Sequence, residues 1–429
     1  MNIGRWDNHK AKYIWSIVIL LMSSTGSFAQ KALPGRNHIQ QDTALYHFFG
    51  QLDKADSTVV SILHLGDSHV QAGVFPGTTG TYLQQDFGNA GRGWVFPYNL
   101  GNTNGPADYR WNSATRWQAA RIVDRYKSDL LGPGAIVITS SYASPALAYM
   151  DKSEDSSDND VLQAQLLYDA GTDNCTVTAP DATVTITGNP FPEATSTLKM
   201  ATLDFAQPSR SFQVRWEGKG PAPFRFYGAV LKNGHPGVLY HAVGINGAQY
   251  MHYNEQSSTL SAQMAVLQPQ LVIISLGTNE AYGAFDATRF KEEIDRTVEL
   301  LRSRNPEVAI LLTTPPNCMR VTRHAQRKKV GKKYKTYYRT AYYPNATIVA
   351  VTQQIKSYAQ ENGLACWDFN AVNKALSGEF ASGWANDRIH FNTRGYQLQG
   401  KLLYEALQQS YQQYQKETKK NLTVEDVRL

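Results

Sequence analysis

Four short polar blocks carry the residue types that acyl transfer needs. Gly66-Asp67-Ser68-His69 follows the apolar run Val59 to Leu65, Gly244-Ile245-Asn246-Gly247-Ala248 follows Val238 to Val243, and Gly277-Thr278-Asn279-Glu280 follows Leu271 to Leu276. The fourth, Asp387-Arg388-Ile389-His390, lies near the carboxyl end. Ser68 would sit on a strand-to-helix turn, where a helix amino end favours developing negative charge, and is the candidate nucleophile. A serine nucleophile needs a base. His390 can take its proton, and Asp387 is close enough in the same loop to hold the imidazole in the right tautomer. The backbone N–H groups of Ser68 and Gly247 and the amide of Asn279 can supply oxyanion donors, Gly247 letting the backbone approach a ligand closely.

Each block also has a plainer reading. Gly-Asp-Ser alone is a weak signal whose default is a turn with a capping serine; the three companion blocks change that. His69 neighbours Ser68, but adjacent side chains on a turn diverge, so hydrogen bonding within its loop is expected, and Asp67 is expected to brace the turn. His64, His241 and His252 lack the spacing of metal ligands and read as structural, no phosphate-binding loop appears, and neither metal nor cofactor is expected. Glu280 has no second carboxylate at a place suited to glycoside cleavage.

The elements that must position these blocks alternate between two textures. The three apolar runs above, with Val308 to Leu312 and Leu364 to Phe369, read as strands buried on both faces of a parallel sheet. Asp286 can cap a helix carrying Phe290, Ile294, Val298 and Leu301; Asn345 can start one carrying Ile348, Thr352, Ile355 and Ala359; a last begins at Thr393 and carries Tyr396, Leu403 and Leu407. The expectation is a doubly wound α/β fold with a five-stranded parallel sheet. Residues 106–236 instead show period-two runs such as Phe212, Val214, Trp216, with an Asn233-Gly234 turn, and read as an inserted all-β sandwich. Its Trp111, Trp117 and Trp216 could stack on sugars or fill a core, the core being the default. The hydrolase part then spans 30–105 and 237–412, and the polar tail 413–429 is expected to fray.

At 429 residues, 42% apolar and 18% charged, the chain has the composition of an ordinary globular protein, which excludes collagen-like and disordered classes. Cys175, Cys318 and Cys366 allow at most one disulfide and show no zinc spacing. Residues 1–29 read as a cleaved export signal, with Arg5, Lys10 and Lys12 ahead of the apolar run Ile14 to Met22 and small residues Ser27 and Ala29 at the cleavage site. That run is too short to span a bilayer, so a periplasmic or secreted protein with no membrane insertion after cleavage is expected. Removing the signal takes the net charge from +6 to +4. Nine Lys or Arg crowd between Arg320 and Arg339, including Arg327, Lys328, Lys329, Lys332 and Lys333, and no Asp or Glu lies between Glu307 and Glu361. Such a block is a solvated loop or a patch that steers an acidic polymer. Nucleic acid is disfavoured by the export signal and by the lack of any nucleic-acid-binding signature.

The ordered blocks with Ser68, Gly247, Asn279 and His390 resemble those of the SGNH, or GDSL, hydrolase superfamily, over about 59–105 and 238–412. Two further stretches, Gly88-Asn89-Ala90-Gly91-Arg92-Gly93 and Phe226-Tyr227-Gly228 leading into Gly244-Ile245-Asn246-Gly247, resemble its peptidoglycan O-acetylesterases, which carry a carbohydrate-binding-like β-module between the first two blocks. His69 stands where the family name has Leu, a departure that subgroup shares. The resemblance implies an exported serine esterase that removes O-acetyl groups from a cell-wall polysaccharide, with O-acetylated peptidoglycan as the expected substrate. Its rivals are an acetylesterase for xylan or another polysaccharide, a lipase or thioesterase, and a non-catalytic glycan-binding protein.

Overall fold

The computed structural model describes residues 37–426 apart from 126–129, 154–158, 192–196, 219–222 and 332. The expected signal at 1–29, Lys332 and the last three residues of the tail lie outside the described residues. Five parallel strands form the centre: β1 (Val59–Gly66), β2 (Gly237–Gly244), β3 (Leu271–Ser275), β4 (Ala309–Thr313) and β5 (Ala365–Trp367). Successive residues such as Leu271, Val272, Ile273 and Ile274 are all buried, so both faces of the sheet are covered, which is why these segments read as unbroken apolar runs. The spatial order is β2-β1-β3-β4-β5. Chain direction across the sheet therefore reverses between β1 and β3, and such a switch point opens a crevice at the carboxyl ends of the strands.

A sixth strand departs from the expected five: Ile39–Gln40 pairs antiparallel with β5. Two residues are too short for a periodic signal; side chains hold them, with the Trp367 indole donating to Asn37 Oδ1 at 2.9 Å and Asn37 Nδ2 donating to the Leu402 carbonyl at 2.9 Å. A polar ladder also crosses the sheet. His64 on β1 bonds Tyr240 OH on β2 and Ser275 Oγ on β3, and Ser275 Oγ bonds Thr313 Oγ1 on β4, each at 2.8 Å. Burying these groups is tolerable because each has a partner.

Between β1 and β2 the chain builds two antiparallel sheets. One has seven strands, with Val161–Asp169 and Phe224–Lys232 at its centre; the other has four, with Ala146–Asp151 and Ser211–Gly218 at its centre. They pack on each other through rings. Trp216 lies 5.0 Å from Phe224 and 5.6 Å from Tyr168, and Trp111 lies 5.5 Å from Phe226. Trp111, Trp117 and Trp216 are buried, so these three fill core and present no face to a sugar. The larger sheet reaches back before residue 106, because Gly93–Val95 pairs with Phe224–Lys232. The Gly88-to-Gly93 stretch makes that crossing along the edge of β2, where Val238 N–H donates to Gly88 O at 2.8 Å and Ala90 N–H to Val238 O at 3.2 Å. A Cβ on Gly237, at φ +126°, would lie 2.2 Å from the Gly88 carbonyl carbon, so only glycine permits this approach.

Two helices start on the expected caps: Asp286 accepts from Arg289 N–H ahead of Ala287–Arg304, and Asn345 from Thr347 N–H ahead of Ala346–Glu361. The last helix corrects an expectation. Rather than fraying after residue 412 it runs from Thr393 to Asp426, because tyrosines along it dock on the first described helix: Phe49 contacts Tyr411 and Tyr414, and both phenols donate to Asp53. The basic block differs too. It is no loop but a hairpin of two twelve-residue strands, Met319–Val330 and Lys333–Pro344. The three cysteines are free thiols, Cys318 and Cys366 buried. Among the described residues no helix is long and apolar enough to cross a membrane.

Candidate active site

The four blocks converge at the carboxyl edge of the sheet. β1 ends at Gly66, and Ser68 opens the short helix Ser68–Gln71, capped by Asp67, whose Oδ1 accepts from His69 N–H at 2.9 Å. From the far end of the chain comes the tight loop before the last helix, in which Asp387 Oδ1 accepts the backbone N–H groups of Ile389 and His390 at 2.9 and 3.0 Å. That turn aims the imidazole. His390 Nε2 lies 2.8 Å from Ser68 Oγ, and His390 Nδ1 lies 2.7 Å from Asp387 Oδ2. Burial works against charge on Asp387, but the bonds from the His390 ring and from the two N–H groups outweigh it and hold the carboxyl below its ordinary range.

The other two blocks face the same hydroxyl. Ser68, Gly247, Asn279 and His390 line one crevice of about 460 Å³, with Asn104, Asn246, Thr278, Tyr282 and Phe391 among its walls. Gly247 takes φ +82° with open space where a side chain would be, so its backbone is bare toward the crevice. Asn279 Nδ2 donates to the Ala248 carbonyl at 2.9 Å and, at a longer 3.3 Å, to Asp67 Oδ2. The third block is thereby tied to the first two.

Three residues of the site carried no signal of their own. Gln71 Oε1 accepts Asn246 N–H at 2.6 Å, while its amide donates to Asn104 O at 2.6 Å and Thr103 Oγ1 at 3.0 Å. Asn104 Oδ1 also accepts from the Asn246 amide at 2.6 Å, so Gln71 and Asn104 pin the Gly247 loop against the nucleophile's helix. Tyr282 walls the crevice and donates to Met319 O at 2.8 Å. His69 differs from expectation: its partner lies outside its own loop, Nδ1 meeting Tyr396 OH at 3.0 Å on the last helix. Its ring packs 5.1 Å from that of His390. Burial, reinforced by the charge of His390, lowers its pKa to about 3, so it stands neutral beneath His390.

The site also contains carboxyls held in the opposite sense. Burial pushes Asp67 and Glu280 up to about 7, and Glu280 Oε1 accepts Tyr250 N–H at 3.0 Å. Between about pH 4.5 and 7 the native state therefore binds more protons at Glu280 than the unfolded chain does, so this group's contribution is full at low pH and is lost as pH rises through 7. Buried His64, His69 and His241, all lowered to about 3, act the other way: their contribution is full above about pH 6.5 and is lost as pH falls toward 3. Glu280→Gln removes one opposing contribution. In urea unfolding the variant is expected to lose up to about 2 kcal/mol more stability than the wild type between pH 7 and pH 5; equal losses in the two proteins would refute this.

The GDSL-like Lipase/Acylhydrolase family model matches residues 211–398, which include Gly247, Asn279, Asp387 and His390 and begin after Ser68, on the far side of most of the insertion. Among solved structures, one described as a peptidoglycan O-acetylesterase in action superposes with a TM-score of 0.66 at 20% identity, covering 88% of this chain and 99% of that one. That likeness is one of fold. A GDSL-like lipase from Bacteroides thetaiotaomicron aligns over 40% of this chain and 76% of its own at 17% identity, with a TM-score of 0.28. No curated protein matches the chain.

Proposed function

We propose that this chain, an esterase whose residues 211–398 match the GDSL-like lipase/acylhydrolase family model, is exported and removes O-acetyl groups from a cell-wall polysaccharide, O-acetylated peptidoglycan. The observation that carries the chemistry is the continuous hydrogen-bonded line from Ser68 Oγ through His390 to Asp387. In this reading Ser68 attacks the acetyl carbonyl as His390 Nε2 takes its proton, and Asp387 stabilises the imidazolium. The N–H groups of Ser68 and Gly247 and the Asn279 amide receive the oxyanion, Asn279 exchanging its long bond to Asp67 for a shorter one. His390 then protonates the departing sugar oxygen, and a water deprotonated by His390 releases acetate from Ser68.

The substrate reading has two supports. Asn104, Asn246, Thr278 and Asn279 set amides and a hydroxyl among the apolar walls of the crevice, Ala72, Ile389 and Phe391, and those polar groups can hydrogen-bond the sugar that carries an acetyl group. A neighbour described as a peptidoglycan O-acetylesterase shares the fold over 88% of this chain, which favours a substrate of that class. Export is supported by the charged and then apolar pattern of residues 1–29. The test is acetate release from acetylated peptidoglycan and acetylated xylan at matched acetyl concentration. At least tenfold faster release from peptidoglycan is expected; the reverse preference would move the assignment to another polysaccharide.

A further inference from the structure

The hairpin Met319–Pro344 projects two strands, each about 40 Å long at ~3.4 Å per residue, with nearly every position exposed. A two-stranded ribbon without a packed face is marginal by itself, so its root bonds matter. Met319 N–H donates to Arg388 O at 2.9 Å, Tyr342 OH to Asn386 O at 2.9 Å, and Arg320 to Ala281 O at 3.0 Å. Residues 386 and 388 flank Asp387, and Ala281 follows the Asn279 block. The ribbon thus grows from the two loops that bring His390 and Asn279 to the crevice.

Cross-strand register sorts its side chains onto two faces. One face carries, outward from the root, Tyr342 opposite Val321, Arg323 opposite Thr340, Tyr338 opposite Ala325, Arg327 opposite Thr336, and Tyr334 opposite Lys329. Rings and guanidinium groups therefore alternate at steps of about 7 Å, with smaller side chains beside all but the outermost. Tyr338 is 68% exposed and Tyr334 65% exposed. This is the face whose Tyr342 reaches the Asp387 loop. The opposite face sets like charges across from each other, Lys328 with Lys335, an arrangement that costs stability when no anion is near. Lysine on a free strand edge is also a guard against aggregation, but exposed tyrosines alternating with arginines along one face do not serve that purpose.

We infer that the Tyr/Arg face of this hairpin is a docking arm for a carboxylate-bearing glycan strand, which lies along it and leads into the Ser68 crevice. Tyrosine rings offer flat apolar faces to sugar rings, and Arg323 and Arg327 offer forked donors to carboxylates. Charge complementarity selects the occupant: no acidic residue lies between Glu307 and Glu361, and among the described residues Arg323 and Arg327 have no ion-pair partner. The inference rests on the proposed glycan esterase activity for its purpose, while binding is measurable without it.

The test compares the wild-type full chain with Arg323→Gln/Arg327→Gln and with Tyr334→Ala/Tyr338→Ala, all at exposed positions. Three measurements are made: co-sedimentation with chemically deacetylated peptidoglycan, acetate release from acetylated peptidoglycan, and hydrolysis of 4-nitrophenyl acetate. Each double variant is expected to bind the polymer at least tenfold more weakly, with KM for the polymer raised and hydrolysis of the small ester unchanged. Amidating the polymer's carboxyls should weaken wild-type binding by a similar factor, and the arginine contribution should shrink in high salt while the tyrosine contribution persists. Undiminished binding by the variants, or hairpin-dependent binding to anionic phospholipid vesicles but not to peptidoglycan, would overturn the inference. Hairpin-dependent binding without acetate release would overturn the proposed activity alone, and acetate release unaffected in the variants would overturn the arm alone.

Discussion

Replacing Ser68 by Ala is expected to lower kcat for a soluble acetate ester by at least about 10⁴ while leaving the protein folded. Among the described residues the hydroxyl has one hydrogen-bond partner, His390 Nε2, and the helix it opens is capped by Asp67 rather than by Ser68 itself. Losing it costs the fold no more than about 1 kcal/mol, the worth of a typical hydrogen bond. Chemistry loses the atom to which the acetyl group would be transferred. His390→Ala should fall by a similar factor, and the double variant should fall no further, because nucleophile and base act as one unit. Steady-state kinetics with matched unfolding curves test the loss. Mass spectrometry of a quenched wild-type reaction should find an acetyl adduct on the peptide containing Ser68. Hydrolysis surviving unchanged in Ser68→Ala would end the proposed mechanism.

The readable part of this site was the part that sits at the ends of apolar runs. A strand buried on both faces leaves an unbroken Val, Ile and Leu signature, so the polar residues that stop it, at 66–69, 244–248 and 277–280, are conspicuous and must lie on one edge of a parallel sheet. Gln71 and Asn104 had no such marker. Each is an ordinary polar residue whose importance lies in bonds to Asn246, a partner more than 140 positions away, and no local pattern encodes such a contact. His69 misled for the same reason, since its partner Tyr396 is 327 positions distant.

The elements that went unread have a different cause. Met319–Val330 and Lys333–Pro344 have solvent on both faces, so the period-two alternation of buried and exposed residues that marks a half-buried strand is absent. The extension of the last helix past residue 412 depends on tyrosines meeting Phe49 and Asp53, a tertiary support that overrides a polar composition. In both cases a sequence rule built on burial met a segment whose order comes from elsewhere.

Asp387→Asn is expected to cost about 10³ in kcat, somewhat less than the ~10⁴ known for a buried aspartate in the same role. The asparagine oxygen can keep the two turn-making bonds from Ile389 and His390 N–H, so the loop should stay in place. What changes is the atom facing His390 Nδ1, where a carboxylate oxygen at 2.7 Å becomes an amide N–H group. Two donors cannot share that contact. The ring then settles in the tautomer with its proton on Nε2, which can no longer accept the Ser68 proton. The smaller loss follows from exposure: the Asp387 side chain is 46% exposed, so solvent already shares in stabilising the imidazolium. Because its hydrogen bonds hold the wild-type carboxyl below its ordinary range, Asp387 keeps its charge to lower pH than an ordinary aspartate does. Asp387→Ala, which also removes the turn's acceptors, should cost more than Asp387→Asn and lower thermal stability as well. A kcat for Asp387→Asn within tenfold of wild type on a soluble acetate ester would show that the imidazole needs no anionic partner here.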